Sequence, residues 1–500
     1  MSALPFSRLP GVNNLFLDFL YDFDKVSDFY PPPDRIREYK IPHRQKLCEI
    51  LQRQNDAYGN SAAASLIQKL EQEDTRCVIT GQQVGLLSGP LYTVWKALTA
   101  IHQSQSFEQQ GISCVPIFWM ATEDHNLNEI ASFALLKQNH DLLQFSLKEH
   151  LFLKRQPAGT VKTDNEEIRK ILIRAFQEIK RQEVKSFYSG TTLSHAFART
   201  LLWLLRDFPI LIVDPSDPYL KNIASPFFDK LVDKVNYLLD VLHRQNSRLK
   251  ERKYPVQVQM EEDRLPLFKI QNQERIPVKR GETDLKPETL SPSALLRPLF
   301  QDYIFPTVGY VGGPAEIAYF AQLHPWYEAM EIIQPALFPR VSLTLIPPAT
   351  RSFLEMSGLK PEEIYLQEDT LVDALLDHEG MKNTRKELKN LENVLKTSLQ
   401  KIQKEIVSID PTLEKGLHTA FRKMEYQIQK MERKAFLAAK RKNLMLAEQI
   451  RKAKNVIYPD EKVQERYLNV FSFAMKLPEL IHQVYDQIQW DAKAHQWIDI

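Results

Sequence analysis

Cysteine is scarce in this chain: Cys48, Cys77 and Cys114 are the only three in 500 residues. Few, odd in number, far apart and without a C-x-x-C pair, they exclude a disulfide framework and a cysteine zinc site, and buried free thiols are the ordinary expectation. Long apolar runs are missing too. None approaches the roughly 18 to 20 residues of a membrane span, and the opening MSALPFSRLPG lacks the basic-then-apolar order of a secretory signal. The cytoplasm is therefore the expected location. Neither sign of charge is in excess: 65 Lys and Arg stand against 63 Asp and Glu, a net +2 that points away from nucleic acid and from an anionic membrane as partners. With 43% hydrophobic and 26% charged residues, the remainder is an ordinary globular composition, long enough for two or three domains.

What is present centres on Arg76 to Lys96, RCVITGQQVGLLSGPLYTVWK. The β-branched, apolar run from Arg76 to Thr80 predicts a buried parallel strand, and Leu91, Val94, Trp95, Leu98 and Ile101 carry helical spacing. The stretch reads as strand, tight loop, helix. Gly81, Gly85 and Gly89 let the backbone turn sharply and approach a ligand, and Pro90 suits a first helical turn. The loop is not a P-loop, since Pro90 and Leu91 follow its last glycine, nor does it have the spacing G-x-G-x-x-G. A turn built only for packing would account for the glycines. Gln82 and Gln83, two uncharged hydrogen-bonding side chains, argue instead for a site whose unpaired loop amides face a ligand beyond the carboxyl end of a strand.

A second strand is predicted from Ile112 to Met120, ending on ATEDHN. Glu123, Asp124 and His125 there are three ionisable groups just past a strand end, where α/β enzymes place catalytic groups. Two carboxylates beside an imidazole can divide the roles of acid, base and charge partner for an ammonium. A helix N-cap by Asp124 with a solvated Glu123, or a metal held by His125 and Glu129, would use the same residues. Alternation from Glu129 to about Pro157, and from about Val256 to Lys279, predicts two strand-rich insertions, with helices and a buried strand at Ile210 to Val213 between them. The proline-rich first 40 residues carry no chemical signal.

Thr307 to Val311, Gly312, Gly313 and the helix from Pro314 repeat the order strand, glycines, proline, helix. Two such junctions predict one composite pocket, shared with the acidic tip. Glu316 in the first turn suits the helix dipole and is equally a candidate for catalysis or substrate binding; Arg297 and Arg340 are candidate anion clamps or structural ion-pair partners. The final third changes character. Leu388, Leu391, Leu395, Ile402 and Ile409, then Phe421, Met424, Ile428, Met431, Ala435, Ala438 and Met445, keep heptad spacing on either side of Asp410-Pro411. An antiparallel pair of long helices is expected, entered through a capping box of Thr384 and Glu387, with Arg433, Lys434, Lys440, Arg441 and Lys442 on a solvated face and dimerisation as its work. The fold class is thus α/β with an appended α-helical coiled coil. The expected domains are a parallel-sheet core over 1–380 with insertions at about 130–190 and 247–290, the helix pair over 381–457, and a helical segment over 458–500 that packs back on the core.

Taken in order, TGQQVGLLSGPLYTVWKAL, PIFWMATEDHNLNEIA, SPSALLRPLFQDYIFPTVGYVGGPAEIAYFAQL and PRVSLTLI, followed by a coiled coil, resemble the BshC family of bacillithiol biosynthesis over nearly the whole chain. The resemblance implies a Rossmann-like core with inserted connecting-peptide subdomains, a coiled coil that joins a homodimer, and a ligase that adds cysteine to glucosaminyl-malate as an amide. The core is similar in plan to class I aminoacyl-tRNA synthetases and to the cysteine ligase of mycothiol synthesis. On that plan Gln82 to Gly89 falls where HIGH would stand and Pro339 to Ser342 near KMSKS, and neither signature is present. Stabilising an activated carboxylate would fall to Gln82, Gln83, His125, Arg297 and Arg340. Amide formation in water is uphill, so ATP is the candidate co-substrate, by adenylate or acyl phosphate; a metal is left open. On this reading Gln82, Gln83, Glu123, Asp124 and His125 are catalytic, and Gly89, Tyr92, Asn126, Arg297, Glu316 and Arg340 bind substrate. Gly81, Gly85, Gly312, Gly313 and Ser342 would bind the cofactor. A coiled-coil scaffold with an idle core, or a transferase acting on another small amine, are the competing readings.

Overall fold

The computed structural model describes residues 3–31, 41, 43–126, 132–147, 155–375, 378–476 and 479–500. The chain divides into two compact units, Met1–Ile346 with Lys462–Ile500, and Pro347–Glu461. The division falls at Ile346, well before residue 380.

The first unit is built on five parallel strands in the order β11 (Ala336–Pro339), β10 (Thr307–Gly312), β2 (Arg76–Gln83), β3 (Cys114–Ala121) and β6 (Leu211–Val213). Parallel strands covered on both faces need continuous apolar runs, and Val78, Ile79, Val115, Ile117 and Phe118 are fully buried. Helix α2 (Tyr92–Gln109) lies against β2, β3 and β10 and is buried on nearly every face from Thr93 to Ile101, more than one-sided spacing requires. The chain goes from β2 to β3 and β6 on one side, then returns to add β10 and β11 on the other. Strand order therefore reverses between β2 and β10, and such a switch point opens a crevice at the carboxyl ends. One boundary matters for the site: β2 runs on past Thr80 to Gln83, so the two glutamines are strand residues that face opposite sides.

Both insertions are antiparallel. β4 (Ser132–Leu136) and β5 (Leu142–Ser146) form a hairpin, and β7 (Arg264–Gln271) is flanked by β8 (Glu274–Lys279) and β9 (Leu290–Pro292). A further sheet has β13 (Ala494–Asp499) at its centre, parallel to β12 (Ser342–Ile346) and antiparallel to β1 (Ala3–Pro5). The segment after residue 462 is thus not wholly helical. A single helix is replaced by a short one at Gln464–Tyr467 and a 3-10 stretch at Val470–Lys476, because Gln464 and Glu465 turn inward and pair with the edge of β12. The Gln464 amide exchanges two 2.8 Å bonds with the Leu345 backbone, and Glu465 accepts the Leu343 N–H at 2.9 Å. The N-terminal residues, silent in chemistry, have a structural part. Asn13 caps α1 (Asn14–Tyr21) and donates to the Pro314 carbonyl, and the Tyr30 hydroxyl donates to that of Ile317, bracing the helix from Pro314.

The second unit holds α6 (His378–Ile409) and α7 (Glu414–Ile457), joined through Asp410, whose carboxylate accepts the Thr412 N–H at 2.8 Å. Arg385 meets Glu432 at 2.9 Å, Lys396 meets Glu425 at 3.3 Å and Gln403 meets Glu414 at 2.8 Å, so the partners descend along α7 as they ascend along α6. The helices run in opposite directions. Thr384 and Glu387 lie inside α6, which has already begun at His378, and not at its entry; the side chains of Lys440, Arg441 and Lys442 lie outside the described residues. Among the described residues, no helix is long and apolar enough to cross a membrane.

Candidate active site

At the switch point, Lys96 of α2 extends its Nζ to the Gly81 carbonyl at 2.9 Å and to Gln82 Oε1 at 3.0 Å, and pairs with Glu316 at 2.5 Å. Glu316 stands in the first turn of α5 (Pro314–Met330), where it also accepts the Gly313 N–H at 2.9 Å and the Tyr310 hydroxyl at 2.7 Å. The helix dipole favours a carboxylate at that position. Lys96 is only 4% exposed. Burial lowers its pKa while Glu316 pulls upward; burial alone would raise that of Glu316, but Lys96 and the Gly313 amide hold it below the usual range. Gln82 is fixed at its other end by donating to the Tyr92 hydroxyl at 3.1 Å. Gly81 is required by crowding, since a Cβ there would stand 2.8 Å from the Trp119 carbonyl oxygen.

Arg297 opens α4 (Arg297–Ile304) and donates to the Tyr319 hydroxyl at 2.7 Å and the Tyr310 hydroxyl at 3.1 Å. Its hydrogen bonds among the described residues go to these phenols and the Gln301 amide, while Glu316 acts on it through charge alone. Arg340 differs. It stands 5.3 Å from the Tyr92 ring centre, but its guanidinium is committed to Glu465 at 2.7 Å, both side chains being buried. Ser342 donates to the same carboxylate at 2.7 Å and meets His495 at 2.8 Å. His495 is closed on its other side by Thr344, and burial drives its pKa down to about 4. The expectation that Arg340 clamps an anion therefore gives way to a buried ion pair, and Ser342 belongs to that network.

At the acidic tip, Gln83 donates to the Asn126 carbonyl at 3.3 Å. Glu123 is buried and paired with the buried Lys221 of α3 (Pro218–Ile223), so it is neither solvated nor unengaged. Asp124 accepts the Asn126 N–H at 3.0 Å, an Asx turn that shapes the tip; a helix for it to cap would fall on 127–131, outside the described residues. His125 Nδ1 lies 3.2 Å from Arg275 Nη1, delivered by β8. Burial, and then the Arg275 charge, push the His125 pKa down against the pull of Asp124. Glu129, the second residue of the metal reading, lies outside the described residues; among those described, no three of His, Cys, Asp and Glu gather around a metal position.

The glycine loop behaves differently from the expectation of unpaired amides. The Leu87 N–H donates to the Tyr188 hydroxyl at 2.7 Å, the Gly89 N–H to Leu86 and the Leu91 N–H to Leu468. Asn469 spans the Leu87 and Gly89 carbonyls at 2.7 and 2.6 Å. Gly85 and Gly89 are buried; Gly89 has a φ of +71°, and a Cβ on Gly85 would touch the Gly89 Cα at 3.3 Å. Their part is packing. The structure gathers Gly81, Gln82, Tyr92, Arg297, Gly313 and Glu316 around Lys96, and Gln83, Glu123, Asp124, His125 and Asn126 around Arg275 and Lys221. Gly312 ends β10 in register with Pro339. Gln82 belongs to the first group and Gln83, on the opposite face of β2, to the second.

Residues 4–285 and 280–341 match the family model described as "Bacillithiol biosynthesis BshC, N-terminal Rossmann-like domain", and 343–500 match "Bacillithiol biosynthesis BshC, C-terminal coiled-coil domain". The chain belongs to the BshC family. Relatives named "Putative cysteine ligase BshC" include one from Solibacter usitatus, 30% identical over 98% of each chain. Others come from Koribacter versatilis, 27% identical over 95% of each, and Salinibacter ruber, 28% identical over 99% of this chain and 98% of its own. A solved structure described as "Crystal structure of putative arginyl t-RNA synthetase from Campylobacter jejuni" aligns over 87% of this chain and 97% of that chain at 9% identity, with a TM-score of 0.25, too distant to speak to fold or chemistry. In this BshC chain, sequence reasoning passed over Lys96, Arg275, Tyr310, Tyr319, Lys221 and Glu465. Lys96 had a signal, being the lone charge in the run LYTVWKALTAI. Arg275, in the polar NQERIPVKR, had none.

Proposed function

We propose that this chain is a ligase that joins the carboxyl group of cysteine to the amine of glucosaminyl-malate as an amide, forming bacillithiol, with ATP activating the carboxylate. Membership of the BshC family and the names its relatives carry support that class of reaction. The observation that carries it is the presence of two unlike clusters at the carboxyl end of β2, beside a switch point of the sheet, one held by Gln82 and the other by Gln83 on the opposite face. Reactants that bring carboxylates and an amine together need both a cationic and an acidic neighbourhood. Arg297, hydrogen-bonded to phenols and an amide and to no carboxylate among the described residues, would take the malate or phosphate charge; Asp124 would take the ammonium or the proton of the attacking amine. The buried loop at Gly85 and Gly89 offers no ring of open amides to a triphosphate, so the phosphates would rely on Arg297. On the same reading the protein works in the cytoplasm on small molecules, without nucleic acid or membrane. It would be a homodimer joined through the helix pair, where Leu391, Ile402, Met424 and Met431 stay exposed in the single chain.

Mass spectrometry of the purified protein with cysteine, glucosaminyl-malate and ATP tests this. The expected result is the amide product with AMP or ADP, lost when ATP is omitted and lost in Asp124→Ala protein of unchanged circular dichroism. No product from the complete mixture would reject the ligase.

A further inference from the structure

His125 has the position of a base, but its surroundings restrict the proton it can carry. Its Nδ1 lies 3.2 Å from Arg275 Nη1. A guanidinium stays protonated and offers only donors, so Nδ1 must accept, and the neutral ring carries its proton on Nε2. Arg275 has little freedom to turn away. It is buried, its Nε donates to Ser291 Oγ at 2.9 Å, its Nη2 donates to the Pro292 carbonyl, and its guanidinium lies 4.0 Å from the Phe268 ring centre. Anchors from β7 and β9 thus aim the remaining N–H at His125, while His125 Nε2 has no partner among the described residues.

We propose that Arg275 is a positioning residue that locks His125 in its Nε2–H form, so that His125 serves as a neutral hydrogen-bond donor to a developing oxyanion and not as the base. This rests on the ligase reading for the identity of the oxyanion, the carbonyl oxygen of the activated cysteine carboxylate. The acceptor amine attacks that carbonyl carbon, the new C–N bond forms, and the phosphate-bearing leaving group departs with the electron pair. The amine proton goes to Asp124, whose carboxylate accepts one backbone N–H. Arg275 and Arg155 are the cations that bear on the imidazole, and Asp124 is the opposing carboxylate; Glu123, the other acid of the tip, is engaged by Lys221. Burial and both arginines disfavour a second proton, which would also have to displace Arg275 from Nδ1.

Long-range proton–nitrogen NMR of the full chain with labelled histidine, taken over about pH 5 to 8, tests the lock directly. The His125 signal is assigned by its loss in His125→Asn. The expected pattern is a protonated Nε2 and an acceptor Nδ1, with His125 still neutral where an ordinary histidine has charged. In Arg275→Gln, and in Arg275→Lys, the tautomers should mix, the His125 pKa should rise toward about 6.5, and the acid limb of kcat/KM should move up with it. His125→Gln, which keeps an N–H, should be measurably more active than His125→Ala, itself reduced by about a hundredfold or more. A proton on Nδ1 in the wild type overturns the proposal, as does an unchanged His125 titration in folded Arg275→Gln or equal loss in His125→Gln and His125→Ala. If Arg275→Gln fails to fold, the wild-type spectrum decides alone. Absence of turnover in the wild type counts against the ligase reading, and the spectrum still judges the lock.

Discussion

Arg297, Arg340 and Lys96 show how little a residue's type says about its task until its partner is known. Arg297 and Arg340 looked alike in the sequence; one meets phenols and the other a buried glutamate. Lys96 was visible as a charge in an apolar run, but its partner Glu316 lies on another strand–helix junction and could not be read from spacing. Lys96→Met should cost about 3–5 kcal/mol in urea unfolding, because it strands a buried carboxylate, and adding Glu316→Gln should recover part of that loss. His495 gives a pH dependence with a definite sign. Its folded pKa of about 4 lies below the ordinary 6.5, so the unfolded chain binds more protons between those values and stability falls as the pH drops through that window. The full loss, reached below about pH 4, is about 3 kcal/mol at about 1.4 kcal/mol per unit. His495→Gln should flatten the acid side of a plot of Tm against pH; an unchanged slope would contradict the assignment.

The elements themselves were largely legible, because strands buried on both faces and helices announce their periods. What those periods conceal is who satisfies the backbone. The glycine loop read as an open ligand cradle because its closing partners, Tyr188 and Asn469, come from distant parts of the chain. Asn469→Ala should leave the Leu87 and Gly89 carbonyls without their donor, cost about 1–3 kcal/mol, and speed amide exchange at Leu87 and Gly89. Protection unchanged there would mean the loop is held by something else. The helical reading of 458–500 holds at Glu479–Gln487 but fails at its start for a related reason: Gln464 and Glu465 serve as a surrogate strand edge, a task that periodicity does not register.

At the scale of the molecule, the heptads gave the helix pair and its turn at Asp410, but not the start of the second unit. The helices Pro348–Ser357 and Glu368–Leu375 look like core helices, since an apolar stripe does not say what covers it; both pack against α7. The pair also leaves apolar side chains open, Leu391 49% and Met431 58% exposed on the stripe and Val394 62% beside it. Sedimentation at micromolar concentration should therefore report twice the chain mass of 58.2 kDa, and Val394→Glu with Met431→Glu should return the single mass. A wild-type monomer would remove the homodimer from the proposal. The placement of β13 bears on how the molecule is made. It bridges β1 and β12, yet the whole second unit is translated before it. At about 5–20 residues per second, β1 waits on the order of tens of seconds with one edge bare. A ribosome that stalls short of residue 494 releases a chain with two orphaned strand edges, a ready mark for proteases and chaperones.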